Sequence, residues 1–160
     1  MTLFRRPRIA IIGAGTCSNT VAALAEEVGS YLAKRGYDIV CGGLGGVMKA
    51  ASKGCYEAGG NTIGILPGKN LSAANPYISF PVATGLGNMR NALVVGNASA
   101  VIAIDGEYGT LSEIALALKT DKKVIVIGHW SQIDGTIQAS DATEAVAIIQ
   151  QLVPTDSTYT

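Results

Sequence analysis

The sequence predicts an α/β protein with a doubly wound, mainly parallel sheet and helices on both faces of that sheet. The first observation is that short apolar runs alternate with amphipathic helical stretches along nearly the whole chain, as in strands joined by right-handed helical crossovers. The second is that three of the strand-like runs, residues 9–12, 100–104 and 124–127, are apolar at every position. Continuous apolar strands are typical of a sheet that is buried on both faces.

The first half of the chain contains three predicted strand–helix units. The predicted elements, in order, are a strand at 8–12, a helix at 19–35, a strand at 38–41, a helix at 47–58 and a strand at 62–66. Gly36 is expected to end the first helix, and Gly59-Gly60 the second. Pro67-Gly68 then ends the third strand.

The second half continues the alternation after a polar connection over residues 69–77. The strand predicted at 78–82 contains Pro81, which lacks a backbone donor, so this strand must be short or lie at an edge. The elements predicted next are a short helix at 88–96, strands at 100–104 and 123–127 with a helix between them, and a last helix before a polar tail that frays from Pro154. The predicted inward stripes of the two longer helices are Leu111, Ile114, Ala115 and Leu118, and Ala145, Ile148, Ile149 and Leu152.

Length and composition predict one cytoplasmic domain that spans residues 1–160. The chain is 48% hydrophobic and only 15% charged, and its twelve basic residues balance its twelve acidic ones. This balance argues against nucleic acid as a partner, and no apolar run approaches the roughly 20 residues that cross a membrane. Cys17, Cys41 and Cys55 lack the close pairing of a metal site, so buried reduced thiols and no bound metal are expected.

Three turns follow predicted strands and open into helices, which places them at one edge of the sheet, where ligands of open α/β sheets bind. Glycines allow a ligand to approach the backbone, and the free N–H groups at a helix start attract anions. The turns begin at Gly13, Gly42 and Gly106. The predicted binding residues are Gly13, Gly15, Thr16, Ser18, Gly42, Gly43, Gly45, Gly46, Arg90, Gly106, Glu107, Gly109, Thr110 and Glu113.

Each of these features also has a purely structural interpretation. The Gly13 turn has Ser18 where a dinucleotide-binding turn has its third glycine, so it can be a tight turn without a ligand. The glycines of the second turn can serve close packing of helix on sheet. Thr110 and Glu113 have the spacing of a capping box, and the alternative is that Glu113 faces a pocket. Arg90 is either a solvated surface residue or a clamp on a phosphate.

Taken together, the motifs resemble the Rossmann-like LOG superfamily over roughly residues 8–128. The resemblance rests on Gly42 to Met48, the Ile63-Gly64-Ile65-Leu66-Pro67 run, Arg90, and Gly106 to Glu113. In LOG phosphoribohydrolases, which release a cytokinin base from its nucleoside 5′-monophosphate, the resemblance implies that Arg90 and Glu113 are the catalytic pair. It also implies that Gly106, Gly109 and Thr110 form the phosphate loop.

The chain departs from the hydrolase pattern at three positions. Asp105 replaces a proline, Glu107 replaces a glycine, and Asn91 stands where a lysine follows the arginine. A carboxylate in a phosphate loop and a lost lysine both weaken anion binding. The shorter chain is more similar to the branch that contains the molybdenum cofactor carrier proteins, which bind a phosphorylated pterin without turnover.

The resemblance therefore implies a cytoplasmic carrier, rather than an enzyme, that stores and protects the molybdenum cofactor. Molybdoenzymes are the partners expected to accept the cofactor, and a homo-oligomer, dimer or tetramer, is expected through the apolar helix at residues 111–118. The alternative is a phosphoribohydrolase that cleaves nucleoside 5′-monophosphates with Arg90 and Glu113 as its catalytic residues.

Overall fold

The structure is a computed structural model that describes residues 5–155, so most of the predicted polar tail lies outside the described residues. The described residues form a sheet of seven strands, and every adjacent pair is parallel. The strands are Arg8–Gly13 (β1), Asp38–Cys41 (β2), Thr62–Leu66 (β3), Phe80–Ala83 (β4), Ala100–Ile104 (β5), Val124–Ile127 (β6) and Thr136–Gln138 (β7). The predicted doubly wound α/β fold is confirmed.

Helices connect these strands and cover the sheet. They are Asn19–Lys34 (α1), Val47–Glu57 (α2), Asn91–Gly96 (α3), Tyr108–Lys119 (α4) and Ala142–Leu152 (α5), with short 3-10 turns at Leu71–Ala73 and Gly87–Arg90. None of the helices within residues 5–155 combines the length and the apolar character needed to cross a lipid bilayer.

The strand order is β4-β3-β2-β1-β5-β6-β7, so the direction of winding reverses between β1 and β5. Strands β1 to β4 progress to one side, and the chain then returns to place β5 on the other side of β1. The connections leaving β1 and β5 therefore diverge at their carboxyl ends. In open α/β sheets, this divergence leaves the crevice where ligands bind.

Two apolar layers hold the helices against the sheet. Side chains alternate along β1, so Ile9 and Ile11 pack with α1, α2 and α5, whereas Ala10 and Ile12 pack with α3 and α4. Both β1 faces are fully buried, which explains the continuous apolar run in its sequence.

Several boundaries and faces differ from the sequence predictions. Strand β7 was not predicted, because its three residues contain a single apolar side chain and it pairs only with β6. The predicted inward stripe of α4 is partly wrong, since Ala115 is exposed and Ala117 is buried instead. In α5, Leu152 is 38% exposed, and Val146 takes its predicted place in the core. Strand β4 does lie at the edge, as its Pro81 predicts.

Helices α1 and α2 approach each other backbone to backbone at two glycines. A Cβ built on Gly29 would lie 2.0 Å from the carbonyl oxygen of Ala51, and one built on Gly54 would lie 1.9 Å from that of Glu26. The contacted atoms belong to helix backbones, which cannot move aside as the end of a flexible side chain could. Only glycine at both positions allows this crossing.

We expect Gly54→Ala to lower the free energy of unfolding by about 3 kcal/mol, at the upper end of overpacking costs, because the added methyl must push two helix backbones apart. Urea unfolding followed by circular dichroism measures this loss. The control is Gly96→Ala, since Gly96 also lies in a helix but has open space at its Cβ position. Equal unfolding midpoints for the two variants would contradict the close crossing.

Candidate functional site

A cavity of about 390 Å³ opens at the carboxyl ends of β1 and β5, where the winding of the sheet reverses. Its volume lies within the usual range of small-molecule sites, roughly 300–1,000 Å³. The structure brings nine of the fourteen predicted site residues to its walls: Gly13, Gly15, Thr16, Gly42, Arg90, Glu107, Gly109, Thr110 and Glu113.

Arg90 is a buried arginine, only 9% exposed, in the wall of this cavity. It ends the 3-10 turn Gly87–Arg90, and its Nε donates a 2.9 Å hydrogen bond to the carbonyl oxygen of Ile65 in β3. A Cβ built on Gly42 would lie 2.6 Å from Nη2 of Arg90. The guanidinium therefore packs against a glycine, and a solvated surface position for Arg90 is excluded.

A chain of hydrogen bonds connects Arg90 to the start of α4. Its Nη1 donates to Oδ1 of Asn91, whose Nδ2 donates to Oγ of Ser112 at 3.1 Å. The Ser112 hydroxyl in turn donates to the carbonyl oxygen of Gly109 at 2.7 Å. Asn91 thus fixes the arginine relative to the third turn, which a lysine, having no acceptor, could not do.

Glu113 projects from the second turn of α4 into the same cavity and is only 7% exposed. Burial raises the pKa of its carboxyl group to about 7, while the nearby positive charge of Arg90 opposes the rise. Within the described residues, the Glu113 carboxylate has no hydrogen-bond donor. It is therefore a carboxyl group close to half protonation at neutral pH, and free to bond a ligand.

The capping-box interpretation of Thr110 and Glu113 is wrong. Helix α4 begins at Tyr108, with Glu107 at its N-cap, so Thr110 already lies inside the helix. No side chain caps this N-terminus, which leaves its first-turn N–H groups available beside the cavity. Thr110 is buried against Gly106, whose φ of 108° and missing Cβ allow the contact.

Most glycines of the second turn allow close packing between neighbouring segments of the backbone. Gly42 lines the cavity, but Gly43 packs on Leu66 and Gly64, and Gly45 faces the carbonyl oxygen of Gly15. A Cβ on Gly46 would lie 2.1 Å from the carbonyl oxygen of Ala14, which accepts a hydrogen bond from the next residue, Val47. Gly43, Gly45 and Gly46 thus lie outside the cavity wall, because their backbones contact neighbouring segments.

Ser18 and Gly106 also lie outside the wall of this cavity. Ser18 is the N-cap of α1, and its hydroxyl accepts from the backbone N–H of Val21 at 3.2 Å. This capping bond explains why the Gly13 turn has a serine at its end.

Sequence reasoning missed several residues that shape the site. Met48 and Asn88 line the cavity, and Asn91, noted only as a departure from a pattern, is the link between Arg90 and α4. Asn75 lies outside the cavity but stabilises the second turn: its Nδ2 donates to the carbonyl oxygen of Leu44 at 2.9 Å. Its position in a polar connection far along the chain gave no indication of this contact.

The three cysteines are free, and Cys41 and Cys55 are buried as predicted, whereas Cys17 is half-buried. Burial raises the pKa of the Cys41 thiol and raises that of Cys55 to about 12. The Cys41 sulfur also accepts from the backbone N–H of Gly43 at 3.4 Å. These two thiols therefore stay protonated and belong to the supporting structure of the site.

The cavity combines groups suited to two kinds of ligand chemistry. Arg90 and the uncapped N-terminus of α4 offer positive charge and N–H donors to an anion. Glu113 and the exposed Glu107 offer carboxyl oxygens to N–H groups. This fold and site define a Rossmann-like α/β protein with a ligand cavity at the reversal point of its sheet.

Comparison with known proteins identifies the family. The chain belongs to the SLOG cluster4 family, which it matches over residues 6–157. An uncharacterised protein of Archaeoglobus fulgidus is 39% identical over 139 residues, covering 87% of this chain and 91% of that protein.

Solved structures of two similar proteins carry names that refer to the molybdenum cofactor. The molybdenum cofactor binding protein of Rippkaea orientalis is 34% identical, with a TM-score of 0.89, over 93% of this chain and 98% of that chain. The Moco carrier protein of Chlamydomonas reinhardtii is 33% identical, with a TM-score of 0.84, over 92% of this chain and 98% of that chain.

The chain is also similar to hydrolases. A cytokinin riboside 5′-monophosphate phosphoribohydrolase of Mycobacterium tuberculosis is 30% identical over 124 residues, or 70% of this chain. The matched region spans 65% of that hydrolase, just under two thirds of its length. Together, these findings confirm the resemblance to the LOG superfamily near the molybdenum cofactor carrier branch.

The raised pKa of Glu113 predicts that the folded protein loses stability as pH rises. The unfolded chain releases this proton near pH 4.5, whereas the folded protein keeps it until about pH 7. Between these values the folded state binds the extra proton, so about 3 kcal/mol of stability present below pH 4.5 is lost by pH 8.

Urea unfolding of wild type and Glu113→Gln at a series of pH values measures this loss. The variant has no titrating group at this position, so its stability should fall less over the same interval. The control Glu57→Gln removes an exposed glutamate of α2 and should retain the full wild-type loss. Parallel curves for wild type and Glu113→Gln would show that Glu113 ionises normally.

Proposed function

We propose that this protein binds a phosphorylated heterocyclic ligand, the molybdenum cofactor, and stores and protects it without turnover. The observation that carries the proposal is a buried arginine beside an uncapped helix N-terminus in one cavity of ligand size. The names of the two structural neighbours, each matched over almost its full length, support the choice of ligand.

The phosphate of the ligand pairs with Arg90 and with the free N–H groups of Gly109 and Thr110. Both kinds of donor suit a phosphate, because a guanidinium binds two oxygens at once and a helix start adds a partial positive charge. Arg90 reaches the cavity with its Nε and Nη1 already bonded to the protein, so the position of its charge is fixed before binding.

The heterocycle accounts for the acidic groups in the wall. A site for phosphate alone would gain nothing from Glu113 and Glu107, since both add negative charge on ionisation. A pterin ring presents N–H donors, which these carboxyl groups accept. Glu113, with a pKa of about 7, accepts a hydrogen bond at lower cost than a fully charged carboxylate in the same buried position.

In this proposal the hydrogen bonds of Asn91 hold Arg90 in place for the phosphate. Its amide connects Arg90 to Ser112 and so maintains a rigid binding wall. In this proposal the protein is a single cytoplasmic domain, and molybdoenzymes accept the released cofactor.

Mass spectrometry of the native protein after gentle anaerobic purification tests the ligand directly. We expect a retained pterin phosphate, with or without molybdenum. An ordinary nucleotide bound in its place would contradict the proposal.

Arg90→Gln should reduce the retained fraction of this ligand about tenfold or more, because a charge-assisted contact to phosphate is lost. The matched control is Arg35→Gln, which removes an arginine whose Nη1 bonds the carbonyl oxygen of Tyr31 at the end of α1. Equal ligand content in both variants would exclude Arg90 from the site.

The alternative, hydrolysis of nucleoside 5′-monophosphates, is favoured by one observation: a carboxyl group with a pKa of about 7 lies near Arg90 in the cavity. Such a group can exchange a proton with a reacting ligand at neutral pH. Incubation with a panel of nucleoside monophosphates decides between the two functions. Release of free base that disappears in Glu113→Gln would establish the hydrolase and overturn the carrier.

A further inference from the structure

A second, smaller cavity of about 230 Å³ adjoins the ligand cavity at the start of α4. Its wall consists of Gly106, Glu107, Tyr108, His129 and Trp130, and we call it the aromatic side cavity. Glu107, the N-cap of α4, lines both cavities, so the two share a wall at the N-terminus of this helix. Complete small-molecule sites usually measure at least roughly 300 Å³. The aromatic side cavity therefore suits one part of a ligand whose remainder lies in the larger cavity.

The turn after β6 brings two of the aromatic side chains to this edge of the sheet. Trp130 is half-buried and packs on the core layer of α3 and α4, whereas His129 is exposed. Gly128 has a φ of 90°, and a Cβ built on it would lie 2.5 Å from Oδ1 of Asp105. The missing side chain lets the turn after β6 lie against the turn after β5. This contact places His129 and Trp130 beside the start of α4.

Three rings around the aromatic side cavity suit a planar heterocycle. The chain has a single tryptophan and a single histidine, and both line this cavity. Their rings meet edge to face, with centroids 4.6 Å apart and planes at 84° to each other. Tyr108, the first residue of α4, adds a third ring and is 86% exposed. Nucleobases bind proteins by stacking on aromatic side chains of this kind.

A buried donor in the same wall lacks an acceptor. The indole Nε1 of Trp130 is buried and has no hydrogen-bond partner in the part of the chain that the structure describes. Because buried polar groups are almost always paired, this donor requires an acceptor from outside the chain. The ring carbonyl and ring nitrogen atoms of a nucleobase are such acceptors. A base can therefore satisfy this donor as well as stack on a neighbouring ring.

The N-terminus of α4 connects the two cavities. Its first-turn N–H groups belong to Tyr108, Gly109 and Thr110, of which Tyr108 lines the aromatic side cavity and the other two line the larger cavity. A phosphate group bound to this turn can therefore carry one substituent into each cavity. Dinucleotides bind in this manner across the reversal point of open α/β sheets, with their pyrophosphate at a helix N-terminus.

We infer that the aromatic side cavity binds the base of a nucleoside that is joined through a diphosphate to the ligand in the larger cavity. The inference rests on the proposed function and narrows it to a pterin that carries a nucleotide. The pterin ring lies beside Glu113, the diphosphate lies at the start of α4, and the base lies against Tyr108 and Trp130. Glu107, in the shared wall, accepts an N–H group from a ring in either cavity.

The single tryptophan makes this inference measurable without a label. Guanosine diphosphate and adenosine diphosphate are the probes for base and diphosphate together, and inorganic pyrophosphate is the probe for diphosphate alone. We expect both nucleotides to quench Trp130 fluorescence saturably and to bind about tenfold more tightly than pyrophosphate in calorimetric titrations, because one stacked base is gained. Absent quenching, or equal affinity for pyrophosphate and for both nucleotides, would overturn the inference.

Tyr108→Ser removes the exposed ring and should weaken nucleotide binding about tenfold while leaving pyrophosphate binding unchanged. The matched control is Tyr56→Ser, since Tyr56 is 53% exposed on α2 and lines neither cavity. This control should bind nucleotides as the wild type does. Unchanged nucleotide binding in Tyr108→Ser, or an equal loss in both variants, would count against a base in the aromatic side cavity.

The mass of the ligand retained by the native protein separates this inference from the proposed function. A pterin joined through a diphosphate to a nucleoside would support both. A pterin that carries a single phosphate would support the proposed function and overturn the inference. Absence of any pterin would overturn the proposed function, and the fluorescence titrations alone would then decide whether the aromatic side cavity binds a base.

Discussion

The contact between the Arg90 guanidinium and Gly42 is the constraint on which the site depends. A side chain at position 42 would occupy the space of Nη2 and of the Met48 sulfur. Because that space is left open, a buried cation can lie at the reversal point of the sheet with its Nε bonded to β3. The Gly42 turn, strand β3 and the 3-10 turn Gly87–Arg90 thus meet at the Arg90 guanidinium. The cavity lies beside this contact.

Burying this cation has consequences for the acid in the same cavity. Desolvation alone would push the pKa of Glu113 higher still, and Arg90 limits the rise to about 7 without a direct ion pair among the described residues. A tight pair would keep the carboxylate ionised and occupy both partners. The separation instead leaves each group available to a ligand, at the cost of a protein that is less stable above neutral pH.

The sequence predicted the architecture because its strands are apolar at every position and its helices have clear ends. It could not predict β7, which is short and held by one neighbour, or the exact inward face of α4, where Glu113 and Thr110 take buried positions that a hydrophobic pattern assigns to apolar residues. Nor could the close α1–α2 crossing be predicted, because the sequence alone does not show that Gly29 and Gly54 each face a carbonyl oxygen of the other helix.

The glycine-rich turns predicted where a cavity lies, but nine of the fourteen predicted binding residues line it and five do not. A glycine-rich turn indicates close approach to the backbone but does not say what approaches. At Gly42 the neighbour is Arg90 in the cavity wall, whereas at Gly46 it is the carbonyl oxygen of Ala14. The role of Asn91 was hidden for the same reason, because it depends on hydrogen bonds to Arg90 and to Ser112 of α4, which the sequence does not show. The effect of a single departure from a motif can therefore be inferred only when the tertiary contacts of that residue are known.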